Sequence, residues 1–387
     1  MKWQDEPQLK ISQLAVLARQ AMVAAPDQPS VWLGLGRAFQ QQGCHREALD
    51  LLDQAVARMP ASAELRLSLA EAALAAGRFE AALEHVGVAL RLEPENPSAR
   101  SLRFALLYKT AQWDGLERLA EEIARLNPSE PYPYEVWARK AGTPEALRHL
   151  LDRCEAALAT GLLCTNAVYF KALALAKLGR DEEARDALSI ESLVEVRDLP
   201  TPEGFATDES FRDALAKEIL LNPTLVADPR GKATRGGRQT QALRQPDAPA
   251  VASLIRQIKA AIDEYGECLP PEAGLALVRP ALAHLDAWAV VYGAEGQQTP
   301  HRHPRSWVSG VYYAGAPRQP GEPAYRGSLQ LGVLPERDGI APPWGTREIE
   351  PVPGRLVIFP SYVPHATQAT GIDGARISVA FDVVPVR

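Results

Sequence analysis

The chain has 387 residues, 46% of them apolar and 23% charged, with a formal net charge of −6. At roughly 100 to 200 residues per domain this is two or three domains with cores of their own, and the balanced composition excludes a disordered or fibrous chain. No segment approaches about 18 consecutive apolar residues, which excludes a membrane-spanning helix, and the acidic balance gives no overall attraction to nucleic acid.

The opening MKWQDEPQLK carries acids and lacks the apolar stretch of a secretory signal, so a cytoplasmic location is expected. Cys44, Cys154, Cys164 and Cys268 show no paired metal spacing and are expected as reduced thiols, mostly in the core. From Trp32 the chain reads WLGLGRAF, then Gly43, Ala48, Leu52, Ala55 and Pro60. A shift of 34 residues returns Arg66, Leu69, Ala70, Ala73, Gly77, Ala82, Val86, Ala89 and Pro94. Small residues recur where two helices of a hairpin touch, Trp32, Leu35, Phe39 and Leu52 fill the space between hairpins, and Gly43 and Gly77 stop the first helix of each pair. This pattern resembles the tetratricopeptide repeat. A third copy, about 97–128, is weaker because Leu116 replaces a small residue. Degenerate units surround Trp137 and Ala146 and run from Asn166 through Ala172, Gly179, Ala184 and Leu188. The expectation is about ten helices up to residue 190, forming a right-handed solenoid whose concave face takes a peptide or protein partner.

The helical period is lost at Leu199. A short helix, Phe211 to Leu221, leads into a proline- and glycine-rich stretch carrying Arg230, Lys232, Arg235, Arg238 and Arg244, read either as a solvated loop or as a basic lip beside an anionic substrate. A second helix, Ala248 to Tyr265, places Val251, Leu254, Ile255, Ile258 and Ile262 on one face. After Pro280 short apolar runs follow, AWAVVY, WVSGVYYAG, SLQLGVL, GRLVIFP and RISVAFDVV, bounded by Pro, Gly and Asp. Their spacing predicts a double-sheet jelly roll, that is, a double-stranded β-helix with flanking helices. The expected organisation is a helical solenoid over 1–198, a linker with a basic segment over 199–247 and a jelly-roll domain over 248–387.

Two imidazoles at i and i+2 of a strand project to one face, so His301 and His303 can reach one metal ion. His365, at the end of the FPSYVP strand, can complete the set. His284 has no partner at ligand spacing and is left out. Arg376 and Ser378 share one face of the last strand, and a guanidinium buried beside a metal requires an anion suited to its planar fork. Tyr292 and Tyr313 are core aromatics whose hydroxyls can reach a carboxylate. Strict alternation turns Gln298 away from His301 unless the chain bends at Pro300. Trp307 and Trp344 either line the mouth or are buried at a sheet edge, and the segment Gly315 to Gly327 is either a lid or an ordinary loop.

The arrangement resembles the Fe(II)- and 2-oxoglutarate-dependent oxygenases, in which a His-x-Asp and a later His hold iron and an Arg-x-Ser binds the far carboxylate of 2-oxoglutarate. The run from Tyr292 through Gly293, Gly296, Gln297 and Pro300 to His301 is similar to a strand of prolyl 4-hydroxylase-type enzymes. The H-x-H-P of His301 to Pro304 and the S-G-V-Y-Y of Ser309 to Tyr313 are similar to a bacterial 2OG-Fe(II) oxygenase group often joined to tetratricopeptide repeats. The likeness covers about residues 205 to 387. It implies a hydroxylase with Fe(II), the cosubstrate 2-oxoglutarate and O2. Metal ligands would be His301, His303 and His365; Arg376, Ser378, Gln298, Tyr292 and Tyr313 would bind the cosubstrate. The substrate would be a peptide, a protein or a small molecule, with no nucleic acid or membrane partner.

One departure from that pattern stands out, because His303 occupies the position of the metal-binding carboxylate. Either three histidines bind iron, or His303 supports the site from behind and Glu336 or Asp338 takes its place. Two other functions remain open on the residues: a three-histidine, cupin-like dioxygenase without 2-oxoglutarate, and a non-catalytic repeat-based binding platform. A fragment starting near residue 205, if folded, is expected to keep iron and 2-oxoglutarate while turning over its natural substrate poorly.

Overall fold

Ala48, Ala55, Ala70, Ala82 and Ala89 are all at most 1% exposed, and around them the N-terminal helices pack in hairpins. The structure, a computed structural model, describes residues 1–387 except 5–10, 42–43, 114, 230–231, 242, 244–247, 271–272, 274–276, 318–325 and 387. In the first compact unit, Pro7–Trp137, the helices are α1 (Ile11–Ala24), α2 (Pro29–Gln41), α3 (His45–Arg58), α4 (Ala63–Ala75), α5 (Phe79–Leu92), α6 (Pro97–Lys109), α7 (Leu116–Leu126) and the start of α8 (Tyr132–Lys140). Side chains too large for these contacts would force the helices apart. A Cβ on Gly36 would already stand 3.0 Å from the Leu52 side chain. Trp32, Phe39 and Leu52 are buried in the core, as expected, and Leu35 packs against it partly buried. Gly77 ends α4 with a φ of +72°, a left-handed conformation that other residues adopt at a penalty. Gly43 lies outside the described residues.

The second unit comprises Met1–Glu6 and Ala138–Arg387. The packing division thus falls within α8, whereas the loss of helical period falls at Leu199. The helices α9 (Pro144–Leu158), α10 (Thr165–Lys177), α11 (Asp181–Leu188) and α12 (Ile190–Leu193) belong with the sheet. Of α10, residues 165–170 and 172–175 are buried. Its Thr165 hydroxyl donates to the Pro304 carbonyl at 2.6 Å, and its Tyr169 ring lies 3.8 Å from the guanidinium carbon of Arg302.

The strands are β1 (Lys2–Trp3), β2 (Glu195–Asp198), β3 (Val226–Ala227), β4 (Thr234–Gln239), β5 (Leu282–His301), β6 (Val308–Gly315), β7 (Leu329–Leu331), β8 (Arg347–Ile349), β9 (Arg355–Pro360), β10 (His365–Thr367) and β11 (Arg376–Pro385), with α13 (Asp208–Leu220) and α14 (Pro249–Glu267) between them. The main order is β2-β9-β6-β11-β5-β10-β7-β8. The 20-residue β5 makes the sheet curl, because its first half pairs with β11 and its end with β10, both antiparallel. This is the jelly-roll arrangement expected from the strand spacing. β2 extends it directly from the helical region by pairing with β9. The basic segment is not a loop throughout: β4 pairs with β5, burying Thr234 and Gln239 and exposing Arg235 and Arg238. Arg230 and Arg244 lie outside the described residues. β1 joins β5 in parallel, and Trp3 Nε1 donates to Asp263 of α14 at 2.9 Å.

Cys154 and Cys164 are buried and Cys44 is half-buried, but Cys268 is exposed, unlike the expected core cysteines. Burial pushes the Cys154 thiol far above its usual range, which keeps it protonated. Among the described residues no helix is long and apolar enough to cross a membrane.

Candidate metal centre

His365 opens β10 directly opposite His301, the last residue of β5. His303 lies two residues past the end of that strand, so strand alternation does not aim it. The turn does: His303 N–H donates to the Ser361 carbonyl, and Ser306 N–H closes back on the His303 carbonyl. One potential ligand atom from each of His301, His303 and His365 lies within 4.8 Å of the others.

The outward nitrogens of these rings are all engaged. His301 Nδ1 meets the Thr299 carbonyl at 2.8 Å, His365 Nδ1 meets the Val363 carbonyl at 3.0 Å, and His303 Nδ1 meets Asp382 Oδ2 at 2.7 Å. With Nδ1 donating in each, the three Nε2 lone pairs are left for a common ligand. Burial, reinforced by the neighbouring His303, lowers the pKa of His301 to about 4. Burial first, then His301 and His303, lowers that of His365 well below its ordinary value. Both rings are therefore neutral near pH 7, the form that binds metal. Neither alternative carboxylate joins the group: Glu336 is exposed, and Asp338 accepts from the Tyr169 hydroxyl at 2.8 Å.

Arg376, from the start of β11, lines the same pocket as the three histidines. It is 1% exposed. Its Nη1 donates to the carbonyls of Gly327 and Gln368, while its Nη2 has no hydrogen-bond partner among the described residues. Gly327 is favoured here, because its φ is +75° and a Cβ would stand 2.7 Å from the Thr370 side chain and 2.9 Å from Nη1. Tyr292 places its ring 4.7 Å from the guanidinium carbon, and burial lowers the guanidinium's pKa from its ordinary value. A buried cation with a free N–H donor is matched by an anionic ligand.

Residues 286–382 match the family "Putative 2OG-Fe(II) oxygenase". The tetratricopeptide-repeat family matches residues 40–106. No curated protein matches the chain. Among solved structures, a prolyl-4-hydroxylase from Pseudomonas putida is 23% identical, with 52% of this chain and 97% of that one covered and a TM-score of 0.36. YrrB, a tetratricopeptide-repeat protein with an unusual peptide-binding site, is 16% identical over 44% of this chain and 89% of its own, with a TM-score of 0.35. A tetratricopeptide-repeat protein from Parabacteroides merdae is 17% identical over 46% and 71%, with a TM-score of 0.37.

Within residues 286–382, the sheet brings Tyr292, Gln298, Tyr313 and Ser378 to the pocket of the histidines. Gln298 reaches it through a β-bulge. His301 pairs with His365 and Gln298 with Thr367, so three steps along β5 oppose two along β10 and the alternation resets. Thr367 Oγ1 then donates to Gln298 Oε1 at 3.2 Å. Burial pushes the hydroxyls of Tyr292 and Tyr313 up to about 12, so both remain donors. Trp307 and Trp344 are buried, their indole N–H groups donating to the Leu277 and Gly332 carbonyls. Neither lines the pocket; Trp288, Leu329, Phe359 and Thr367 do. Most of the segment Gly315 to Gly327 lies outside the described residues. Asp382 belongs to none of the sequence motifs, and its one signal is that it is a lone acid within the apolar run AFDVV.

The lowered histidine pKa values set a pH dependence for the metal-free protein. The unfolded chain protonates these rings near pH 6.5, but the folded chain does not protonate His301 until about pH 4. The unfolded state thus binds more protons across this window, and stability rises with pH. The urea midpoint should fall as pH is lowered from about 6.5 towards about 4, and less steeply in His301→Gln. An unchanged slope in that variant would contradict the assignment.

Proposed function

We propose that the chain is an Fe(II)- and 2-oxoglutarate-dependent oxygenase that hydroxylates a peptide or protein side chain brought to it by the repeats. The observation that carries this reading is the Nη2 of Arg376, without a hydrogen-bond partner among the described residues and buried in the same pocket as three histidines whose Nδ1 atoms are engaged elsewhere. The donor set suits the group: neutral imidazoles are ordinary iron ligands, and the guanidinium fork matches a carboxylate. Bound Fe(II), with 2-oxoglutarate and O2, would supply the oxidising power for hydroxylating a C–H bond.

His301, His303 and His365 would hold the metal. Arg376 would bind the far carboxylate of 2-oxoglutarate, with the Ser378, Tyr292 and Tyr313 hydroxyls as further donors. Gln298 would offer its amide N–H to the cosubstrate, its oxygen being held by Thr367. Trp288, Leu329 and Phe359 would keep water from the reacting atoms. A cupin-like dioxygenase without 2-oxoglutarate has no use for a buried, half-paired arginine, and a passive platform has no use for it or for the histidines. The family match at 286–382 supports the oxygenase class, and the repeat match at 40–106 supports a peptide or protein partner. The test is to supply Fe(II), ascorbate and O2 and follow 2-oxoglutarate. Conversion to succinate that depends on iron and stops in His365→Ala is expected; no succinate, with or without a cellular peptide pool, would refute the reading.

A further inference from the structure

The three ring nitrogens facing away from the cluster are held unequally. His301 and His365 donate to neutral backbone carbonyls, whereas His303 donates to a carboxylate. From this asymmetry we infer that Asp382 is a positioning residue for the metal centre, supplying through His303 the negative charge that the ligand set itself lacks. This rests on the reading of the three histidines as metal ligands.

The anchoring of Asp382 is built for that role. It sits in the middle of β11, paired with Ser309 of β6 on one side and Asp286 of β5 on the other, and is 8% exposed. Both carboxylate oxygens are committed: Oδ2 to His303 Nδ1 at 2.7 Å and Oδ1 to the Ser309 hydroxyl at 2.6 Å. A carboxylate held at both oxygens cannot swing in to become a ligand, but it fixes the Nδ1–H tautomer of His303 and makes Nε2 a stronger donor. The ring is steadied by Trp288, stacked at 5.8 Å, and by the nearly parallel, stacked ring of His365 at 5.1 Å. The serine of the S-G-V-Y-Y signature thereby acquires a function, since Ser309 orients the acid that orients the ligand.

A purely structural acid and a charge-supplying one are separable. Asparagine keeps an acceptor for Nδ1–H and nearly the same shape but removes the charge. Full-length wild type, Asp382→Asn and Asp382→Ala would be titrated with Co(II), reading both affinity and the visible ligand-field spectrum, with thermal melting as the folding control. The wild type is expected to bind one equivalent. Asp382→Asn should bind about 10- to 100-fold more weakly, with shifted bands and no rescue relative to alanine. An asparagine variant that melts like wild type and matches its Co(II) affinity and spectrum would overturn the inference and leave the three-histidine site standing. A wild type that binds no Co(II) would overturn both. Nitrogen-15 NMR of the Zn(II)-loaded wild type decides the matter even if the variants do not fold. His303 is expected with its proton on Nδ1 and metal on Nε2, and the reverse tautomer would overturn the inference.

Discussion

Replacing Arg376 with alanine should weaken 2-oxoglutarate binding by about 30- to 5000-fold, the range for removing one partner of a buried, hydrogen-bonded charge pair. Among the described residues Nη1 of the guanidinium donates to the Gly327 and Gln368 carbonyls and Nη2 has no partner, so Nη2 would be the donor left for the ligand. Arg376→Lys keeps the charge but not the planar fork, and should fall between wild type and alanine. Metal binding should be unchanged in both variants, because the three histidines are fixed by other groups. Calorimetry of 2-oxoglutarate with the Mn(II)-loaded protein reads these effects. Equal affinity in wild type and Arg376→Ala would remove the cosubstrate from the account.

Deleting residues 1–204 should abolish metal binding by unfolding the sheet unit, contrary to the expectation from sequence that such a fragment could keep its iron. The deletion removes β1 and β2, both hydrogen-bonded to the sheet, and all of α10. That helix grips the loop between two of the histidines. Asn166 accepts from Arg302 at 2.5 Å, and the Tyr169 and Phe170 rings lie 3.8 and 5.0 Å from the Arg302 guanidinium carbon. A single change probes the same contact within the whole chain. Tyr169→Ala removes a buried ring, its stacking on Arg302 and its hydrogen bond to Asp338, and should destabilise the unit by about 3 to 5 kcal/mol. Chemical denaturation followed by Trp fluorescence measures it. A fragment starting at residue 205 that melts cooperatively and binds Co(II) as tightly as the full chain would show that α10 is dispensable.

The 34-residue recurrence of alanine was legible because close helix contact admits only small side chains, and Ala70 and Ala82 are indeed completely buried. The histidine cluster was legible from two residues at short spacing and a third at a strand end. What was hidden depended on partners distant in sequence. An amphipathic helix declares that one face is buried, not what covers it, so α10 reads as another repeat although it belongs to the unit that holds the sheet. β2, β7, β8 and β10 have three or four residues each, too few for a period to emerge. Gln298 read as facing away because alternation assumes an unbroken ladder, and the bulge opposite His365 resets it. Asp382 read as one more residue of an apolar strand because its role exists only where β11 passes behind His303.

A crystal structure of the full chain grown without oxygen, with Mn(II) and 2-oxoglutarate, tests the central claim most directly. The account predicts an anomalous Mn peak bonded to Nε2 of His301, His303 and His365, with the far carboxylate of 2-oxoglutarate against Nη2 of Arg376. A Mn peak ligated by Asp338, Glu336 or Asp382 in place of His303, or 2-oxoglutarate bound away from Arg376, would contradict it.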